Sequence, residues 1–188
     1  MPLPLYIDTG VLEYFAPWIG SDGCSLTGTA GTLEPSMARQ HFLFHTAMDT
    51  LCFCQLHPKL LERPGSNVFT AIGLWPTASR MLELKTLFPN ARTVGVFDDD
   101  LCGRVLDCKV ALWQMRRDAS FFLHNHKVTI IYRNSIFNVP VPNFSLHRFR
   151  KVTGMRSTYR TVKPKGCVSF SVLLVGRHRD GDNPINTL

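Results

Sequence analysis

The chain is 188 residues long, 45% hydrophobic and 19% charged, with a formal net charge of +7. That length suits one good core with appended segments, and no apolar run approaches the roughly 18 residues that suggest a membrane span. The opening Met1-Pro-Leu-Pro-Leu-Tyr-Ile-Asp8 has no basic leader region and reaches an acid early, so a cytoplasmic protein with no membrane association is expected.

Residues 1–40 are rich in Gly, Pro, Ser and Thr and read as a loop-dominated arm packed by Tyr14, Phe15 and Trp18. The character changes at His41. Phe42-Leu-Phe44 reads as a strand, His45-Thr-Ala as a turn, and Met48 to Leu56 as a helix with Met48, Leu51, Cys52 and Leu56 at core spacing. Asn67 to Ile72 is a second strand ended by Gly73. A helix starting at Pro76 or Thr77 follows, with Ala78, Met81, Leu82 and Leu84 inward, and Pro89-Asn90 stops it. Val94, Val96 and Phe97 form a third, buried strand, Val105 to Arg117 a third helix, and Val128 to Tyr132 a fourth strand. This alternation predicts an α/β fold over residues 41–133, with a largely parallel four-stranded sheet, right-handed crossovers and helices on both faces.

Beyond Arg133 the pattern breaks into a basic extension, residues 134–188. Ile136 to Phe144 is extended and punctuated by Pro, Ser145 can cap a short helix through Phe149, and Val168 to Val175 reads as a final strand or short helix. No acidic residue lies between Asp118 and Asp180, whereas Arg148, Arg150, Lys151, Arg156, Arg160, Lys163 and Lys165 all fall in that interval. Confining one sign of charge to a third of the chain is the footprint of a polyanionic partner, most often nucleic acid. The six cysteines, Cys24, Cys52, Cys54, Cys102, Cys108 and Cys167, form no CxxC pair and read as reduced thiols. Cys52, Cys54 and His57 suggest a metal clip only superficially. On a helix, positions i and i+2 face different sides, so small buried side chains are expected.

The third strand runs out into Asp98-Asp-Asp100, followed by Leu101-Cys-Gly-Arg104. Three successive acids disfavour strand and belong at its carboxyl end, where open α/β sheets bind ligands and where the acids can share a cation. The plain alternative is an acidic turn capping the next helix through Asp100. Gly103 is expected to permit a tight turn and Arg104 to enter the helix.

The segments Phe42-Leu-Phe-His-Thr-Ala-Met-Asp-Thr-Leu51, Val68-Phe-Thr-Ala-Ile-Gly73 and Val94-Gly-Val-Phe-Asp-Asp-Asp-Leu-Cys-Gly-Arg104, in that order, resemble the Toprim domain. The nearest likeness is to the primase-like Toprim proteins of bacterial mobile elements, and it covers roughly half the chain. The resemblance implies a Rossmann-like sheet with Mg²⁺, or Mn²⁺, held by Asp98 and Asp100. It also implies catalytic roles for His45, Asp98 and Asp100. The family has Glu at the tip of the first strand, where this chain has His45. Imidazole is a poor Mg²⁺ ligand but suits softer metals and moves protons near neutrality. His45 is therefore a substituted acid/base, a softer metal's ligand, or the mark of a module that has lost catalysis and kept its nucleic-acid contacts; the last is preferred. Asp49, one turn on, either assists or caps its helix.

The functional expectation is a Toprim-like, DNA-binding accessory factor of DNA processing or of a mobile element, with weak or degenerate metal-dependent catalysis. Arg104, Arg148, Arg150, Lys151, Arg156, Arg160, Lys163 and Lys165 would contact phosphates, and Phe144, Phe149 and Tyr159 would either stack on bases or anchor the core. Protein partners from a replication or mobilisation complex are also implied. The alternatives are a non-catalytic DNA-binding or assembly module and, with a poorer fit, a DxD phosphatase-like hydrolase.

Overall fold

The computed structural model describes residues 6–22 and 25–181, so Met1 to Leu5 and Cys24 lie outside it. Strands β1 (Gln40–Phe44), β2 (Asn67–Ala71) and β3 (Arg92–Gly95) alternate with helices α2 (Ala47–Leu56) and α3 (Ala78–Leu87), and α4 (Leu101–Trp113) follows β3. Helix α1 (Thr9–Phe15) precedes them, in a segment whose composition reads as loop. Each helix starts where a short oxygen-bearing side chain can satisfy a free backbone N–H. Asp8 caps α1, Thr77 caps α3 and Asp100 caps α4. Thr46 and Asp49 form a reciprocal capping box at α2, worth about 1 kcal/mol.

The strands pair in parallel in the order β2-β1-β3-β7, where β7 is only Arg160–Thr161. Alternate residues feed two cores, because side chains on a strand point to opposite faces. Phe42, Phe44, Phe69, Val94 and Val96 pack with α1, α2 and the last helix, α6 (Phe170–Gly181). Leu43, Val68 and Phe97 pack with α3, α4 and α5 (Leu146–Thr153). His41 sits in the second core with its ring against Phe88 and its Nε2 2.7 Å from Thr70 Oγ1. Burial drives its pKa down to about 3, so this histidine is a neutral core residue. Cys52 and Cys54 are buried, the five described cysteines are free thiols, and His57 is exposed beside Phe53.

The expected fourth strand of the parallel sheet is elsewhere. Lys127–Tyr132 (β5) is the middle of an antiparallel meander between β4 (Ser120–His124) and β6 (Ser135–Pro140). Two-residue turns at Asn125-His126 and Arg133-Asn134 set this topology. All four residues adopt positive φ, between 46° and 61°, the hand that matches the strand twist in short hairpins. Val128, Ile130, Tyr132 and Val139 turn their side chains into the core of α4 and α5. The segment read as a basic extension thus supplies the sheet's fourth strand, β7, and a helix on its face, α6, which settles Val168 to Val175 as helical from Phe170. Among the described residues no helix is long and apolar enough to cross a membrane.

Two glycines shape the end of β3. Gly103 has ordinary helical geometry, so it is not the tight turn that the sequence suggests. A Cβ there would strike the backbone carbonyl of Asp98. A Cβ on Gly95 would strike the Tyr159 hydroxyl and come within 2.8 Å of Asp107. Gly103→Ala is therefore expected to displace the Asp98 segment and cost about 1–3 kcal/mol, as overpacking does. Urea denaturation checks this, and an unchanged midpoint would show that the contact is slack.

Candidate functional site at the carboxyl edge of the sheet

From β1 the chain crosses to β2 on one side, then returns through α3 to β3 on the other. The gap between the carboxyl ends of β1 and β3 is thus a topological switch point, the crevice where open α/β sheets accept ligands. His45 follows β1 directly and Asp98 follows the β3 ladder, which Val96 extends by donating to Leu43 O at 2.8 Å. The His45 ring lies 4.8 Å from that of Phe97. Its carbonyl accepts from Gly73 N at 3.0 Å, which joins the tip of β2 to the same edge.

The charges here act on one another. Burial lowers the His45 pKa, opposed by Asp49 and Asp100 and reinforced by Lys163. Burial raises the Asp98 pKa, aided by Asp49 and Asp100 and opposed by Lys163. His45, Asp98 and Asp100 therefore share one edge with Asp49 and Lys163. Asp100 is the N-cap of α4, with Oδ1 accepting from Gly103 N at 2.7 Å. Asp99 points away, to Arg104 Nε at 2.8 Å. The Asp98 carboxylate has no hydrogen-bond partner among the described residues.

Sequence reasoning missed Asp107, in the middle of α4. Its side chain is 2% exposed and lies 2.8 Å from Lys163 Nζ, while Tyr159 OH donates to Oδ1 at 3.1 Å. Lys163 Nζ also donates to Phe97 O at 3.0 Å and Asp98 O at 2.8 Å. The signal in the sequence was helical spacing, since Gly103, Val110 and Ala111, the i−4, i+3 and i+4 neighbours of Asp107, all face the core. A cleft of about 350 Å³ opens beside this cluster, between Asp99, Arg104, Asp107, Lys163 and the start of α5. Trp75 was also missed. It is 91% exposed on the loop after β2, beside Leu74.

The basic residues divide into two groups. Lys163 is held by three internal acceptors, Arg104 by Asp99 and Phe144 O, and Arg150 by Ser157 Oγ and Tyr159 O. Arg148, Lys151, Arg156, Arg160 and Lys165 are exposed. Phe144, Phe149 and Tyr159 are core residues with at most 2% exposure, so the stacking role is excluded for them. No family model, curated protein or solved structure matches the chain.

Among the described residues no three His, Cys, Asp or Glu side chains gather closely enough to form a ready metal cage. The donors nevertheless suit a hard cation in kind. Asp98 is a half-buried, unpartnered carboxylate flanked by Asp49 and Asp100, each of which spends one oxygen on a helix cap. Mg²⁺ commonly takes one or two carboxylates and keeps several waters.

Burial raises the Asp107 pKa to about 6 from an ordinary 3.8, although Lys163 and Tyr159 favour the ionised form. The folded state thus binds this proton more tightly than the unfolded state. Its contribution is complete below about pH 4 and is lost as pH rises through about 6, a change on the order of 3 kcal/mol. Denaturant titrations of native protein and Asp107→Asn between pH 4 and 7 are expected to converge or cross by that amount. Parallel profiles would contradict it.

Proposed function

We propose that the chain is a Toprim-like module that binds nucleic acid, with DNA the expected partner, and supports only weak metal-dependent chemistry at the carboxyl edge of its sheet. Support for this reading comes from chain order: His45 follows β1, and Asp98 and Asp100 follow β3, on the two sides of the switch point and in the order of segments that the resemblance implies. Asp98 and Asp100 would hold Mg²⁺ or Mn²⁺, which would neutralise charge on phosphate oxygens. His45, its pKa lowered by burial, is neutral at pH 7 and able to accept a proton, but it brings no negative charge to a hard cation. The site therefore has one carboxylate fewer than the family pattern, and metal affinity falls with it.

Exposed Arg148 and Lys151 on α5, with Arg156 and Lys165 on the following segment, would meet phosphates, while Trp75 offers an accessible face for a base at the same edge as His45. A second reading, a purely structural acidic turn in a DNA-binding or assembly module, is favoured by the caps that Asp49 and Asp100 form. Partners in replication or mobilisation belong to either reading.

Calorimetric Mg²⁺ titration separates them. Native protein is expected to bind weakly, His45→Glu several-fold more tightly, and Asp98→Asn not at all. No heat from either native protein or His45→Glu would leave the acids as caps alone. For nucleic acid, replacing Arg148, Lys151, Arg156 and Lys165 by Ala is expected to weaken single-strand binding and flatten the salt dependence by roughly 0.7 per lost phosphate contact. Fluorescence anisotropy across a salt series measures this, and an unaltered slope would remove that surface from the interface.

A further inference from the structure

A second cleft, of about 380 Å³, lies away from the carboxylate edge. It is lined by Arg92, Arg150, Ser157, Thr158, Tyr159 and Arg160. Arg92 opens β3 and Arg160 lies on the edge strand β7 opposite Val94, so the cleft sits towards the amino end of the sheet. Its lining contains no acid. None of the three arginines forms an ion pair among the described residues, whereas Arg80 and Arg104 each do.

Arginine cannot shed its charge to relieve this crowding, because its guanidinium remains protonated throughout the accessible pH range. Three cations converging on a half-enclosed cleft repel one another until an anion enters. One of them, Arg150, is already fixed in place. Arg150 Nη2 donates to Ser157 Oγ at 2.7 Å and to the carbonyl of Tyr159, while its Nε is buried with no partner. Those two bonds fix the guanidinium in place, so its charge stays beside Arg92 and Arg160 at the cleft, where charge-assisted hydrogen bonds favour an anion. Ser157 and Thr158 add hydroxyls to the same wall, so the lining suits a tetrahedral oxyanion with several acceptor oxygens.

We propose that Arg92, Arg150 and Arg160 form a phosphate-binding cleft, distinct from the carboxylate edge, that holds a phosphodiester of the bound nucleic-acid strand. The phosphate chemistry stands on the arginines alone; the strand as its source rests on the function proposed above.

The test uses the full chain and two probes, inorganic phosphate and a fluorescent 12-nucleotide single strand. Arg92 and Arg160 are exposed, so Arg92→Gln/Arg160→Gln leaves the internal bonds of Arg150 in place, and Lys59→Gln/Arg63→Gln removes equal charge outside the cleft. Phosphate is expected to shift the Arg150 Nε–H resonance in native protein and in the control, but not in the cleft variant. Strand affinity is expected to fall about tenfold in the cleft variant and less than twofold in the control. An Arg150 resonance unmoved by phosphate, with equal strand affinity in the cleft variant and the control, would overturn the cleft. A phosphate-induced shift with no strand binding by native protein would overturn the strand as occupant and the nucleic-acid reading with it, and would leave a site for a small phosphate. Should Arg92→Gln/Arg160→Gln fail to fold, Arg92→Gln alone, read through the same resonance and anisotropy, decides between these results.

Discussion

The ammonium group of Lys163 holds the third strand, the fourth helix and the C-terminal segment to one another. Its three hydrogens go to Phe97 O, Asp98 O and Asp107, so one side chain ties the segment after β7 to the tip of β3 and to the middle of α4. Without it, Asp107 would be a buried charge with only a tyrosine hydroxyl for company, a far costlier state than the pair. The same cation lies in the field of Asp98 and His45 and limits the mutual repulsion of the acids at the edge. A lysine that looks from sequence like one more phosphate contact is thus a structural tie. Its replacement would damage the fold before it informed on binding.

Around this tie the chain balances two opposed requirements. The switch point needs Asp98 close to α4, which demands Gly103, and it needs Tyr159 beneath β3, which demands Gly95. Both approaches bring carboxylates into partly dehydrated surroundings, and the raised pKa values of Asp98 and Asp107 register the cost. Hydrogen bonds run on from Asp107 through Tyr159 to Arg150, so the acidic edge and the arginine cleft rest on one scaffold of buried polar groups.

Much of this was legible in the sequence where local patterns and the global fold agree. The apolar runs at Phe42, Val68 and Val94, the Thr and Asp caps, and the acids after Phe97 all lead to β1, β2, β3 and the helices between them. The meander was not legible because its turns are Asn125-His126 and Arg133-Asn134, with none of the glycine that usually marks tight hairpins. Strand β7 is two residues long and gains its place from the β3 edge, so no periodicity announces it. Asp107 reads as a surface acid unless its helical neighbours are counted. Phe144, Phe149 and Tyr159 look available for stacking in a basic segment, yet the α5 core claims all three. The division of basic residues into internal ties and exposed cations depends on tertiary partners distant in sequence, such as Phe144, 40 residues from Arg104, and Phe97, 66 residues from Lys163.

The central claim is that the edge between β1 and β3 is a cation and phosphate site and not merely a capped acidic turn. Crystals grown with Mn²⁺ and a short oligonucleotide, with data collected at the manganese absorption edge, address it directly. The account predicts an anomalous peak bound by the carboxylates of Asp98 and Asp100, with a strand phosphate on its open side. A map with no peak there, in which Asp100 stays on Gly103 N and the oligonucleotide lies on another face, would contradict it.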